Sequence, residues 1–135
     1  IINDLLLYRT YHGVTLSLPT QMASSWAWSD SSHVENNRRD YDKKYEIAIS
    51  ALQDVPKIIR PPGGFYIWLK VPCDDQLFAK RLYQESNVIV LPGSYLGVEN
   101  EGVNPGKDFV RIAIVHETEI IEQALTAVNQ TYVKV

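Results

Sequence analysis

Apolar positions recur along this chain with two different periods, and the switches between them mark the elements. The opening residues, Ile1-Ile2-Asn3-Asp4-Leu5-Leu6-Leu7-Tyr8, read as the tail of a helix reaching about Thr10 or Tyr11, with Gly13 where a left-handed C-cap is wanted. Ser17-Leu18-Pro19 offers a cap and an early-helix proline for a short helix through Trp28, with Met22 and Trp26 four apart. Ser32-His33-Val34-Glu35 has the form of a capping box, and Tyr41, Tyr45, Ala48 and Leu52 follow at helical steps, which predicts the longest helix. Its charged positions, from Arg38 to Glu46, mix both signs and read as a solvated face.

Pro61-Pro62-Gly63-Gly64 ends helical structure, and the period drops to two. Phe65 to Val71 then reads as a strand, with Phe65, Ile67, Leu69 and Val71 on one face and Tyr66, Trp68 and Lys70 on the other. Asp74 and Asp75 supply first-turn acids for a helix through Leu77, Phe78, Leu82 and Tyr83, ending near Ser86-Asn87. Val88-Ile89-Val90-Leu91 is a short apolar strand, the Gly- and Pro-bearing stretch up to Asp108 is loop, and Phe109 to Val115 is the last strand. Thr118 is placed to cap a final helix with Ile121, Ala124, Leu125 and Val128 on one face. The expected class is α+β: a small, mostly antiparallel sheet, strands near 65–71, 88–91 and 109–115, covered by helices. Residues 1–30 read as a helical segment continuing from an upstream domain, and 31–135 as one domain of their own.

One residue breaks the pattern. Arg111 stands in the middle of Phe-Val-Arg-Ile-Ala-Ile-Val, a run that otherwise reads as a buried strand. Arginine is seldom buried unless an anion meets it, and its planar fork of donors matches a carboxylate bidentately. An internal Asp or Glu and the carboxylate of a ligand satisfy that requirement equally well.

Composition narrows the choices. At 135 residues, with 45% hydrophobic and 21% charged residues, the chain has the content of one ordinary globular domain. A net charge of −3 without a basic stripe gives no electrostatic reason to expect nucleic acid or an anionic membrane. No apolar run approaches the roughly 20 residues of a membrane span. The single cysteine, Cys73, excludes an internal disulfide framework and fits a cytoplasmic location. Asn129-Gln130-Thr131 is in that setting a chance sequon. His12, His33 and His116 are scattered, so no metal site is expected, and Cys73 has no activating base near it in sequence. Trp26 and Trp28 are read as anchors that pack against a neighbouring helix or a missing domain, since no basic residues interleave with them. Glycine-rich nucleotide loops, a G-x-S-x-G elbow and an H-E-x-x-H pair are all missing from the sequence.

Four stretches, taken in order, carry a resemblance: Tyr8-Arg9-Thr10-Tyr11-His12-Gly13, Pro62-Gly63-Gly64-Phe65-Tyr66-Ile67-Trp68, Val90-Leu91-Pro92-Gly93-Ser94-Tyr95-Leu96-Gly97 and Phe109-Val110-Arg111-Ile112-Ala113. Together they resemble the C-terminal, small domain of class I/II aminotransferases of fold type I, which use pyridoxal 5'-phosphate. Within that family the chain looks most like the bacterial succinyldiaminopimelate aminotransferases of lysine biosynthesis, through Arg9-Thr10-Tyr11-His12-Gly13 and the tryptophan-rich segment after it.

The resemblance implies that Arg111 grips the α-carboxylate of an amino-acid substrate, that Phe65 borders the substrate entrance, and that the Pro-Gly-Ser-Tyr loop lies near the same mouth. It also implies amino-acid and 2-oxo-acid substrates, a large domain upstream and a homodimeric parent enzyme. The family's Schiff-base lysine, in a Ser-x-x-Lys context, has no counterpart here, nor has its phosphate-binding loop. Lys43, Lys44, Lys57, Lys70, Lys80 and Lys107 stand elsewhere in the order. This chain by itself is therefore expected neither to hold the cofactor nor to transaminate. The alternative is a free-standing, non-catalytic α+β domain that binds a small carboxylate or a protein partner.

Overall fold

The computed structural model describes residues 1–13, 15–56, 58 and 60–135, and divides them into two compact units, Ile1–Asn37 and Arg38–Val135. In the first, α1 spans Ile2–Tyr11 and α2 spans Leu18–Ser29. Gly13 takes φ +55° just past the C-cap residue His12, the left-handed turn expected of it. Neither helix buries a residue within the structure, and Trp26 and Trp28 remain 72% and 88% exposed, so of the two partners expected for them no neighbouring helix of this chain covers them.

The third helix, α3 (Ser32–Ala51), begins in the first unit and ends in the second. Its expected capping box does not form. Ser32 is already helical, and its amide and hydroxyl both donate to Asp30 Oδ1, at 2.9 and 2.6 Å. A carboxylate is the stronger acceptor, so Asp30 closes the turn in place of a serine cap. These bonds from Ser32 hold the Asp30 carboxyl below its ordinary pKa.

The second unit contains β1 (Tyr66–Lys70), α4 (Asp75–Ser86), β2 (Leu91–Pro92), a 3-10 turn over Gly93–Tyr95, β3 (Phe109–Ala113) and α5 (Thr118–Val133). The sheet order is β1-β3-β2 with both pairings antiparallel, so the α+β expectation holds. The strand expected at 88–91 is shorter than that and shifted to Leu91–Pro92. Asn87 leaves α4 in the left-handed conformation, and Val88 to Val90 run toward the sheet with Ile89 exposed. Pro92, with no N–H to donate, then ends the ladder.

Asp74 caps α4 by accepting from the amides of Gln76 and Leu77. Thr118 does not cap α5: Glu117 is the N-cap residue, and the Thr118 hydroxyl donates to Glu119 instead. Strand alternation builds the core. Ile67, Leu69, Val71, Val110, Ile112 and Ile114 are buried with Phe78 and Leu82 of α4, Leu125 and Val128 of α5, and Tyr45, Ala48 and Leu52.

Candidate functional site

The same alternation that sends Val110 and Ile112 into the core places Phe109, Arg111 and Ala113 on the opposite face of β3. β3 is the central strand, so Arg111 has a neighbour on each side: Trp68 across β1 and Leu91 across β2. Tyr66 is paired with Ala113 and shares that face with Trp68 and Lys70. The Arg111 guanidinium carbon lies over the Tyr66 ring, 4.2 Å from its centroid. Trp68 meets Phe109 edge-on at 6.5 Å.

Ion pairs join Arg60 to Asp42, and Glu85 to Arg81 and Lys134, but among the described residues no carboxylate lies within 4.0 Å of the Arg111 guanidinium. Of the two explanations the sequence left level, an internal salt bridge among these residues is therefore not the one realised here. The fork sits half-buried, fixed to an aromatic ring, with its charge unneutralised by any described side chain.

Phe65 departs from its expected face. It does not join Ile67 and Leu69 in the core but is 40% exposed, its ring 4.3 Å from that of Tyr66 and 6.2 Å from that of Tyr41. Gly64, at φ +94°, turns the chain just before it, and Phe65 contributes its carbonyl to the Ile114 amide. Phe65, Tyr66 and Arg111 thus form one continuous chain of contacts.

The loop after β2 reaches the same face by a different route. A Cβ on Gly93 would sit 2.3 Å from the Gly106 carbonyl oxygen and 3.0 Å from the Trp68 ring, so only glycine lets this turn lie against the strand. Asp75, buried at the start of α4, accepts from the Ser94 amide at 2.8 Å, and Asn104 donates to the Ser94 carbonyl at 2.9 Å. The result is an apolar groove of about 370 Å³ lined by Trp68, Leu96, Gly97, Pro105, Gly106 and Phe109. A larger cleft, about 470 Å³ between α3 and α5, lies elsewhere and gathers polar side chains, with Glu122 as its one charged group, around Asn129, whose amide is already bonded to Asp54.

The remaining candidates stay apart from Arg111. Cys73 donates weakly to the Asp74 carbonyl, and burial, then the nearby Asp74 charge, push its thiol above the ordinary pKa, which opposes a nucleophilic role. No cluster of potential metal ligands occurs among the described residues, and no helix there is long and apolar enough to cross a membrane. Lys44 donates to the Val115 carbonyl, and Lys57 lies outside the described residues. Tyr66 and Trp68 were legible only as the outer face of a strand; their place beside Arg111 depends on register.

The fold is thus an α+β domain whose aromatic-walled, open sheet face carries a guanidinium without a described counter-ion. The family of such a domain follows from comparison: residues 6–128 match the model of aminotransferase class I and II, and the chain belongs to that family. An aminotransferase structure from Neisseria meningitidis Z2491 superposes with a TM-score of 0.87 at 45% identity, over 97% of this chain and 34% of that one. A structure of a probable N-succinyldiaminopimelate aminotransferase from Thermus thermophilus gives 0.62 at 28% identity, over 76% and 26%. Glutamate-pyruvate aminotransferase AlaC of Escherichia coli (strain K12) is 24% identical over 98% of this chain and 32% of its own length. The chain spans about a quarter to a third of the length of these relatives.

Proposed function

We propose that this chain is the small, C-terminal domain of a fold-type-I pyridoxal-phosphate aminotransferase, and that Arg111 grips the α-carboxylate of its amino-acid substrate. The observation that carries the reading is the Arg111 fork, central on the open sheet face and unpaired with any described carboxylate. Two parallel N–H···O bonds fix a carboxylate in plane and in direction, which orients the rest of the substrate. In this reading Phe65, whose ring packs on Tyr66, borders the substrate entrance, and the Gly93 loop borders the same face.

The residues present do not themselves fit the cofactor. A Schiff base needs an amine at the reacting carbon and a phosphate needs converging N–H donors, whereas this face offers one guanidinium among aromatic rings and, at the exposed end of β1, the single amine of Lys70. In this reading the cofactor and the chemistry belong to a large domain joined through residues 1–30, in a cytoplasmic homodimer, and the chain alone is inactive. Succinyldiaminopimelate as amino donor and 2-oxoglutarate as acceptor are the substrates favoured by the Arg9-Thr10-Tyr11-His12-Gly13 stretch.

The test is Arg111→Ala in the full-length enzyme. Loss of a charge-assisted pair, about 1.5–3 kcal/mol, lowers kcat/KM for the amino donor by roughly one to two powers of ten. An unchanged kcat/KM overturns the assignment of Arg111. Assaying succinyldiaminopimelate against unacylated diaminopimelate and glutamate decides the substrate separately.

A further inference from the structure

Resting on that reading of Arg111, we propose that Tyr66 is the positioning residue of the carboxylate site: its ring holds the guanidinium in place while leaving the charge and the N–H fork free for substrate. An arginine on an open sheet face has a long, flexible stem, and holding it in one orientation costs side-chain entropy. The common solution, a neighbouring carboxylate, also occupies the donors and cancels the charge that an incoming acid must meet. No described carboxylate does this to Arg111.

Tyr66 does something a carboxylate cannot. With the guanidinium carbon 4.2 Å over its centroid, the ring attracts the cation through its π face and offers the in-plane N–H groups no acceptor there. Tyr66 is itself held on several sides. Its backbone is paired with Ala113, its carbonyl accepts from the Tyr45 hydroxyl at 3.3 Å, and its ring packs on Phe65 at 4.3 Å. The platform is therefore anchored independently of Arg111, which is the condition for one group to orient another.

Steady-state kinetics of the full-length enzyme carrying Tyr66→Phe, Tyr66→Ile, Arg111→Ala and Tyr66→Ile with Arg111→Ala test the proposal. Tyr66→Ile keeps a strand-forming side chain but removes the ring, and raises KM for the amino donor about three- to fivefold, the scale of one cation–π contact, with kcat changed far less. Tyr66→Phe stays within about twofold of wild type, because the ring face persists. Once Arg111 is absent, Tyr66→Ile adds nothing further to KM, which separates positioning from any general loss of structure. An unaffected KM in Tyr66→Ile beside a defective Arg111→Ala overturns the positioning role alone, as does Tyr66→Phe behaving like Tyr66→Ile or an undiminished effect in the double variant. An unaffected Arg111→Ala removes the carboxylate assignment, and this proposal with it.

Discussion

Strands β1 and β3 each present two faces, one residue out of phase, and the two faces have been put to opposite uses. On one, Ile67, Leu69, Val110 and Ile112 are almost wholly enclosed against the helices. On the other, Tyr66, Trp68, Phe109 and Arg111 stay half-buried or exposed, around a cation with no described counter-ion. The packed face has solved its own solvation problem, while the open one keeps a charge and aromatic surface accessible. Stability and recognition can therefore be changed independently, since neighbouring residues of one strand belong to different faces.

The largest effect expected on the packed side is Phe78→Ala. Phe78 is fully buried against the sheet, so its truncation costs about 3–5 kcal/mol, a large part of the stability of a domain this size. Urea denaturation of the two proteins measures it. Arg111→Ala, by contrast, removes only a cation–π contact from the folded state, about 0.5–1 kcal/mol. Comparable losses from the two substitutions would break the division between the faces.

A smaller effect joins them. Asp75 is buried on the packed side but holds the loop that borders the open one, through the Ser94 amide. Burial pushes its carboxyl up, yet the hydrogen bonds from the Ser94 amide and hydroxyl outweigh this, and its pKa lies below the ordinary carboxylate value. A pKa depressed on folding contributes stability above the unfolded value, roughly pH 4, and that contribution is lost as pH falls through the folded value. Asp75→Asn should cost about 1–3 kcal/mol near pH 7, with the gap from wild type closing as pH falls below roughly 4 and through the lowered folded value. Denaturation midpoints across that range report it, and a gap that stays constant with pH would remove Asp75 as the titrating clamp.

The smallest effect concerns Cys73, whose thiol burial and Asp74 together hold in the protonated form. Its alkylation by iodoacetamide at about pH 8 should be slower than that of free cysteine by at least a few-fold. Faster reaction would reveal an activating group that the site lacks.

Local pattern carried a good deal of this. The period of two along Tyr66–Lys70 named Ile67 and Leu69 as the buried residues, and helical spacing located α3 and α5, because both periods follow from backbone geometry; the run at Phe109–Ala113 read as wholly buried, and its alternation appeared only in the sheet. The ends were less legible: Ser32, Thr118 and Phe65 each had a plausible local role, and each lost it to a competing contact. Asp30 supplied a stronger acceptor, Glu117 fell at the cap position, and Tyr41 and Tyr66 drew Phe65 off the core face.

The order of residues was enough to set most of the elements, the inward faces of α3 and α5 and of most of β1, and the anomaly of one arginine in an apolar strand. What that arginine touches came only from assembly of the sheet. Tyr66 is far from Arg111 along the chain and meets it through the β1–β3 register, and Gly93 is brought onto Gly106 and Trp68 by a turn that no period encodes. Periodicity specifies which way a side chain points relative to its own backbone; which neighbour it finds is set by strand order and register, which arise when the whole sheet forms.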